Sequence, residues 1–348
     1  MMRTNRWTVL FFLVAILVAQ VGCGGAAKLP AYPDQSATAT RAVEWMVSTF
    51  QNDDGGYAAF SGGANQEPST VAATLDAMLA LASAGYDPAV PVAGETATPY
   101  GYLTSHVDEV AEYASADGGQ AGKLVLALIA AGVEPRIFPA IDGVESWNLV
   151  EVLRGHIDES TGAIGATDPF KQSLAMLGLA AAGEKVPESA IAWLESRQAA
   201  SGSWDDGFGT ADSADATGMA VMALLASGRE SSSASLQAAR NFLTAGEVAR
   251  GWEYGPGLGA SANSTAVVME ALSALGEDFY TGQSAWVKDG RSPLDMLLAF
   301  QGESGAFQAD FGQGPFDDFY STVQSIPAIS GCSLLTSGKD GLACLLGR

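Results

Sequence analysis

Apolar positions along this chain fall in blocks of two kinds, and the two alternate. The first kind carries a stripe. From Ala190 to Gln198, Ile191, Trp193 and Leu194 share a run with Glu195 and Arg197, which predicts a helix with one buried face. The second kind is apolar or small on every side. Thr217 to Ala226 reads TGMAVMALLA and stops before Gly228, a natural C-cap, which predicts a helix buried all round. Between the two, Ser201-Gly202-Ser203-Trp204-Asp205-Asp206-Gly207 is built from turn formers. Asp212, Ser213 and Asp215 then offer acceptors to the free N–H groups of the second helix.

The same unit of helix, glycine turn and helix recurs six times. The first copy joins Arg41–Phe50 to Ser69–Gly85 through QNDDGGYAAF. The second runs from Tyr102–Tyr113 through Asp117-Gly118-Gly119 into Lys123–Gly132, and the third begins near Trp147 and reaches Gln172–Gly183 through ESTGAIG. The stretch described above is the fourth, Leu236–Leu243 and Ser264–Gly276 flank RGWEYGPGLG in the fifth, and Leu294–Gln301 and Tyr320–Gly331 flank GESGAF in the sixth. A period of roughly 40 to 55 residues belongs to stacked or closed repeat architectures. Six pairs predict twelve helices.

A tighter motif sits in the turns: Gln, three residues, Gly, one residue, aromatic. It is intact as Gln51…Gly55-Gly56-Tyr57, Gln198…Gly202-Ser203-Trp204 and Gln301…Gly305-Ala306-Phe307, and weakened as Asp158…Gly162-Ala163-Ile164 and Glu247…Gly251-Trp252. The glutamine can bond backbone groups at the helix end, the glycine permits the reversal, and the ring packs between units. This pattern resembles the QW repeat of squalene-hopene cyclases. With the helix pairs around it, it resembles the toroid superfamily of terpenoid cyclases, protein prenyltransferases and transcobalamin-like cobalamin carriers. The resemblance spans about residues 39 to 331. It implies an all-α fold, a single α6/α6 toroid with inner and outer helix rings joined by glycine-aromatic turns. Fold of this kind does not fix function.

A chain of 348 residues can form one such ring. Its net charge of −22, with 17 basic residues, lacks a nucleic-acid footprint and disfavours strongly anionic ligands. At the N-terminus, Arg3 and Arg6 precede an apolar run from Trp7 to Ala19, the layout of an export signal and short for a membrane span. Val21-Gly22-Cys23-Gly24 resembles the bacterial lipobox, with Gln20 where Leu is usual. The expected organisation is therefore a signal peptide over 1–22, a lipidated Cys23 heading a tether over 23–38, the toroid over 39–331 and a C-terminal loop over 332–348. Ordinary signal cleavage and a retained anchor helix are the alternatives. Cys332 and Cys344 remain, and in an exported chain a disulfide between them is the favoured reading against two free thiols. The address would be the bacterial cell envelope or the exterior.

Chemistry is expected at the ring's centre. In the family the chain resembles, the second helix of each pair lines the inside, and the glycine turns form one rim. That rim is acidic, with Asp53, Asp54, Asp205, Asp206, Asp212, Asp215, Asp310, Asp317 and Asp318. A cation or polar-ligand site and a set of plain helix caps are both consistent with such carboxylates, and none of the loops has the spacing of a calcium loop. The squalene-hopene family protonates its substrate with Asp-x-Asp-Asp. The nearest stretch here, Asp212-Ser213-Ala214-Asp215, lacks the paired carboxylates that would raise one pKa. His106 and His156 are the only histidines, and no cysteine lies within the ring to complete a prenyltransferase-type zinc site. No Gly-x-Ser-x-Gly elbow is present.

The residues point to a non-catalytic toroid that binds a small ligand, cobalamin-like or other, with no cofactor or metal of its own. An isoprenoid-directed cyclase or prenyltransferase-like enzyme and a protein-interaction scaffold are the alternatives. Asp205, Asp206, Asp215, Phe316, Asp317, Asp318 and Tyr320 are expected to converge on the cavity rim. Whether the segment Pro88–Pro99 plugs the ring is left open by the sequence.

Overall fold

A computed structural model of the chain describes residues 29–60, 67–92, 94–139, 146–165, 168–336 and 342–344. The expected signal peptide and Cys23 lie outside the described residues. The helices come in the expected succession: α1 (Ser36–Phe50) and α2 (Val71–Ser83); α3 (Pro99–Ser105), α4 (Val107–Ala116) and α5 (Gly118–Ala130); α6 (Leu149–Gly155) and α7 (Pro169–Ala181); α8 (Glu188–Ser196) and α9 (Ala214–Ala226); α10 (Ala234–Gly246) and α11 (Ala262–Leu275); α12 (Pro293–Leu298) and α13 (Phe319–Ile329). Thirteen α-helices are seen among the described residues rather than twelve, because the outer position of the second unit breaks between Ser105 and Val107. There His106 is both the C-cap of α3 and the N-cap of α4, in a non-helical conformation.

Six of these helices close a ring. α2 packs on α5, α5 on α7, α7 on α9, α9 on α11, α11 on α13, and α13 returns to α2. These are the all-round apolar segments of the sequence, and the striped helices α1, α4, α6, α8, α10 and α12 pack outside them. The architecture is that of an all-α toroid. Neighbouring inner helices run in the same direction, as shown by α5 and α7, where Gly119 abuts Lys171 and Gly122 abuts Leu174 and Ala175. Gly118 and Gly119, expected as a turn, therefore belong to a helix. Asp117 caps it by accepting from Gln120 N, and a Cβ on Gly118 would stand 1.9 Å from the Ile164 carbonyl oxygen.

All six inner helices carry a side-chain N-cap: Thr70, Asp117, Asp168, Ser213, Ser261 and Asp318. In the fourth unit Ser213 is the cap, not Asp212 or Asp215. One turn into four of these helices a threonine hydroxyl receives the N–H of the turn's buried aromatic. The pairs are Tyr57–Thr74 (3.0 Å), Trp204–Thr217 (3.1 Å), Trp252–Thr265 (3.1 Å) and Phe307–Thr322 (2.9 Å).

The motif glutamines join consecutive units. Gln198 Nε2 donates to Gly202 O at 2.9 Å and to Ser235 O of α10 at 2.8 Å, and Gln51 reaches Gly55 O and Ala97 O in the same way. The third unit, with Asp158 in place of Gln, recovers the arrangement from another position. Gln172 on α7 donates to Gly162 O and Ala190 O and accepts from Ile164 N at 2.9 Å, so it serves as both the missing Gln and the missing Thr.

The C-terminal stretch expected as a loop is a β-hairpin. To reach it, the short pairs β1 (Trp252–Glu253) with β2 (Ala260–Ser261), and β3 (Gln308–Ala309) with β4 (Phe316–Asp317), are passed first, both in the turns. β5 (Cys332–Thr336) then pairs antiparallel with β6 (Leu342–Cys344). β5 packs against α7, α9, α11 and α13, and β6 against α2, so the hairpin fills the ring at the end away from the turns. Glu270 of α11, wholly buried, accepts from Leu334 N at 3.1 Å. Cys332 is buried and disulfide-bonded, and its cross-strand neighbour is Cys344. The described part of the segment 88–99 is held at the first turn, through Ala97 O, and at the start of α3, where Pro88 O accepts from Tyr100 N.

Candidate functional site

With one end sealed by the hairpin, the turn-side rim is where the ring opens. Its two halves differ in charge. On the α2, α5 and α7 side, lysines neutralise the carboxylates: Lys123 meets Asp76 at 2.6 Å and Lys171 meets Asp117 at 2.9 Å. On the α9, α11 and α13 side lies a cavity of about 450 Å³. Asp215, Asn263 and Gln324 contribute from the inner helices, and Asp318 and Tyr320 from the start of α13. The turns supply Phe60, Tyr254, Leu258, Phe300, Asp310 and Phe311.

Three of the seven expected site residues line this cavity: Asp215, Asp318 and Tyr320. Asp206 is buried behind them and joined through Tyr254, whose hydroxyl donates to Asp206 Oδ2 at 3.1 Å. The other three are brought elsewhere. Asp205 is exposed and accepts from Gly207 N, Asp317 is exposed and accepts from Gln308 Nε2, and Phe316 packs on Phe311 at 5.5 Å between centroids. Asp205 is exposed on its loop, and of the strand pair it is β3, through Gln308 and Ala309, that lines the cavity, while Phe316 and Asp317 of β4 are exposed.

The aromatic wall was not read from the sequence. Its signal was present, because four of the six turns continue past a buried aromatic to a second, exposed one: Tyr57 to Phe60, Trp204 to Phe208, Trp252 to Tyr254 and Phe307 to Phe311, of which all but Phe208 reach the cavity. Phe60 stands edge-on to Tyr320 at 6.2 Å. The first ring of each pair is held by the helix pair, which leaves Phe60, Tyr254 and Phe311 to line the opening.

Asp206 and Asp215 titrate apart. Burial works to raise the Asp206 carboxyl, but the N–H groups of Thr210 and Phe208 and the Tyr254 hydroxyl outweigh it and hold Asp206 below the usual range. Burial pushes Asp215 up to about 6, and the charge of Asp206 adds to this. Ser264 offsets part of the rise, although its hydroxyl and Asp215 Oδ1 both lie buried without a completed hydrogen bond. The paired carboxylate that the sequence lacked next to Asp215 is thus supplied by Asp206, from across the turn. Asp318 serves as a helix cap at the same time, accepting from Ser321 N at 2.7 Å. Among the described residues there is no group of three or more His, Cys, Asp or Glu arranged to hold a metal ion.

No family model and no curated protein sequence matches this chain. Solved structures do match its fold. Haptocorrin in complex with Cbi is 15% identical with a TM-score of 0.55, over 92% of this chain and 73% of that one. A type II terpene cyclase from Scytonema is 14% identical with a TM-score of 0.56, over 86% of this chain and 98% of that one. An inactive variant of an α-1,6-mannanase from Salegentibacter, in complex with α-1,6-mannotriose, is 11% identical with a TM-score of 0.55, over 85% and 98%. The chain shares the α/α toroid fold of these structures. At these identities the likeness is one of fold.

Proposed function

We propose that this protein is an exported, lipid-anchored and non-catalytic toroid that takes a small ligand into the cavity at its open rim. The observation that carries this reading is the cavity itself, a concave site with an aromatic wall and a few convergent polar groups, on a ring whose inner helices pack at the other end against β5 and β6. Ligand access from the turn side follows. Export and lipidation at Cys23 are supported by the sequence of the N-terminus, and no helix among the described residues is long and apolar enough to cross a membrane. Phase partitioning of the Cys23→Ala variant tests the anchor: it should move from the detergent to the aqueous phase.

Cobalamin is the first ligand to try, since haptocorrin in complex with Cbi is among the structures of this fold. The purified protein is incubated with cobalamin, freed of excess, and its visible spectrum recorded. Corrin absorbance at one equivalent would make it a cobalamin carrier, and a colourless protein would leave the cavity to another small ligand.

One observation favours a second reading. A carboxyl raised towards neutrality beside an ionised partner is an arrangement suited to general acid chemistry, and Asp215 beside Asp206 has that form. On this reading the cavity acts on an isoprenoid. Incubation with a linear polyene should then yield cyclised product with the native protein and none with Asp215→Asn. Unchanged substrate with both would dismiss it.

A further inference from the structure

We infer that the rim cavity is a receptor for an organic cation, a quaternary or protonated amine. This rests on the cavity being the ligand site. Aromatic faces attract cations through their negative quadrupole, and an aromatic box combined with carboxylates selects ammonium groups. The cavity offers Phe60, Tyr254, Phe300, Phe311 and Tyr320 as that box, with Asp215, Asp310 and Asp318 among its lining. Among the described residues, no Lys, Arg or His lines it.

The charge of the cavity is uncompensated for structural reasons. Lys123 and Lys171, the inner-helix lysines on the other side of the ring, are both paired with carboxylates. Arg250 lines an adjoining groove and stands over the Phe300 ring at 5.5 Å from its centroid, so this ring already receives a cation from one residue. Asp215 lines the cavity and, among the described residues, no cation of the protein pairs with it there, so a ligand's positive group would offset the charge of its carboxylate.

Two other ligand chemistries fit less well. An anion would meet three carboxylates in a protein of net charge −22. A neutral polyol would lean on the side-chain amides as well as the carboxylates, and Asn263 Nδ2 is already given to Gln324 Oε1 at 3.0 Å, Asn263 Oδ1 accepts from Ser321 Oγ at 2.8 Å, and Gln308 Nε2 is given to Asp317.

The test compares choline with 3,3-dimethylbutan-1-ol, which replaces its nitrogen by carbon and removes the charge. Calorimetric titration of the whole protein should give choline an affinity at least about tenfold higher. Asp215→Asn should erase most of that ratio, and Phe60→Leu, on an exposed loop, should reduce it in a protein that folds normally. Choline keeps its charge at all pH values in use. Its binding should therefore strengthen from pH 5 to pH 7 as Asp215 ionises, in the field of Asp206 and Tyr254 from the turns, Ser264 of α11, and Asp318 and Tyr320 of α13. Asp310, in the cavity wall, adds to that field. The rise should vanish in Asp215→Asn. Equal binding of the two compounds would overturn the cation inference and leave the cavity as the ligand site. Binding of neither would overturn both. A charge preference that survives Asp215→Asn would remove Asp215 from the receptor and with it the inference.

Discussion

The side-chain amide of Gln301 donates to the carbonyl of Thr38 at 3.1 Å, which ties the last glycine turn to the first helix of the chain. The same amide also donates to Gly305 O at 2.8 Å, and the Arg41 guanidinium donates to the Gln301 carbonyl oxygen. Between interior units this bond joins consecutive helices, as Gln198 does to Ser235. At Gln301 it closes the ring. Gln301→Ala is expected to lower stability by about 1–3 kcal/mol, since two carbonyls lose their donor. Chemical denaturation measures it, and a midpoint equal to the native one would show that closure rests on helix packing alone.

The motif glycine is set by space as well as by backbone. Gly202 has φ of +93°, and a Cβ there would lie 2.3 Å from the Ala238 carbonyl oxygen of the next unit. Gly305 repeats this against Arg41 O at 2.6 Å. Gly202→Ala should cost about 2–4 kcal/mol, because strain in the left-handed region and a backbone clash add. Gly228, with positive φ but open space around it, should cost distinctly less on the same substitution. Urea midpoints of the two variants give the comparison.

Glu270 links stability to pH. Burial pushes its carboxyl up to about 8, partly offset by the Leu334 N–H. The folded state thus holds the proton more tightly than the unfolded chain does. The stability this confers is complete below the unfolded value near 4.5 and is lost as pH rises through about 8. Glu270→Gln should melt with the native protein at pH 4 and a few degrees higher at pH 8.5. Matching melting curves at both pH values would show that the carboxyl ionises in the folded protein as it does in the unfolded chain, with no raised pKa.

The hairpin inside the ring is fastened covalently at Cys332. Its register places Cys344 opposite, and peptide mapping without reductant should recover the two cysteines on linked fragments. Reduction should cost about 2–3 kcal/mol, the contribution of a short closed loop. Thermal melting with and without reductant reads this loss. A linked pair whose reduction leaves the midpoint in place would mean that packing alone seats the hairpin.

Helix type, turn position and the role of the motif were legible because each is local. A stripe of apolar residues needs one partner surface, and an all-round apolar segment needs several, so the sequence already separates outer helices from inner ones. Thr217–Ala226 and Ile191–Leu194 make that contrast within a single unit. The spacing of Gln, Gly and aromatic likewise fixes which groups can meet across one turn, as Gln198 and Gly202 do at 2.9 Å. Where a glycine pair served close packing instead of a turn, at Gly118-Gly119, local reading placed the helix start too late.

The sequence by itself determined six helix-turn-helix units, their inner and outer members and the acidic rim. Only the tertiary structure decided that Gln172 replaces a missing motif residue, that residues 332–336 and 342–344 pair inside the ring, and which acidic residues meet. Asp206 and Asp215 come together with Tyr254, while Asp205 and Asp317 face away, because side chains of neighbouring turns converge only once the inner helices have closed on one another. Hydrophobic periodicity records how much of a segment is buried. It carries no information on which segments are buried against each other, and the cavity is made from those contacts.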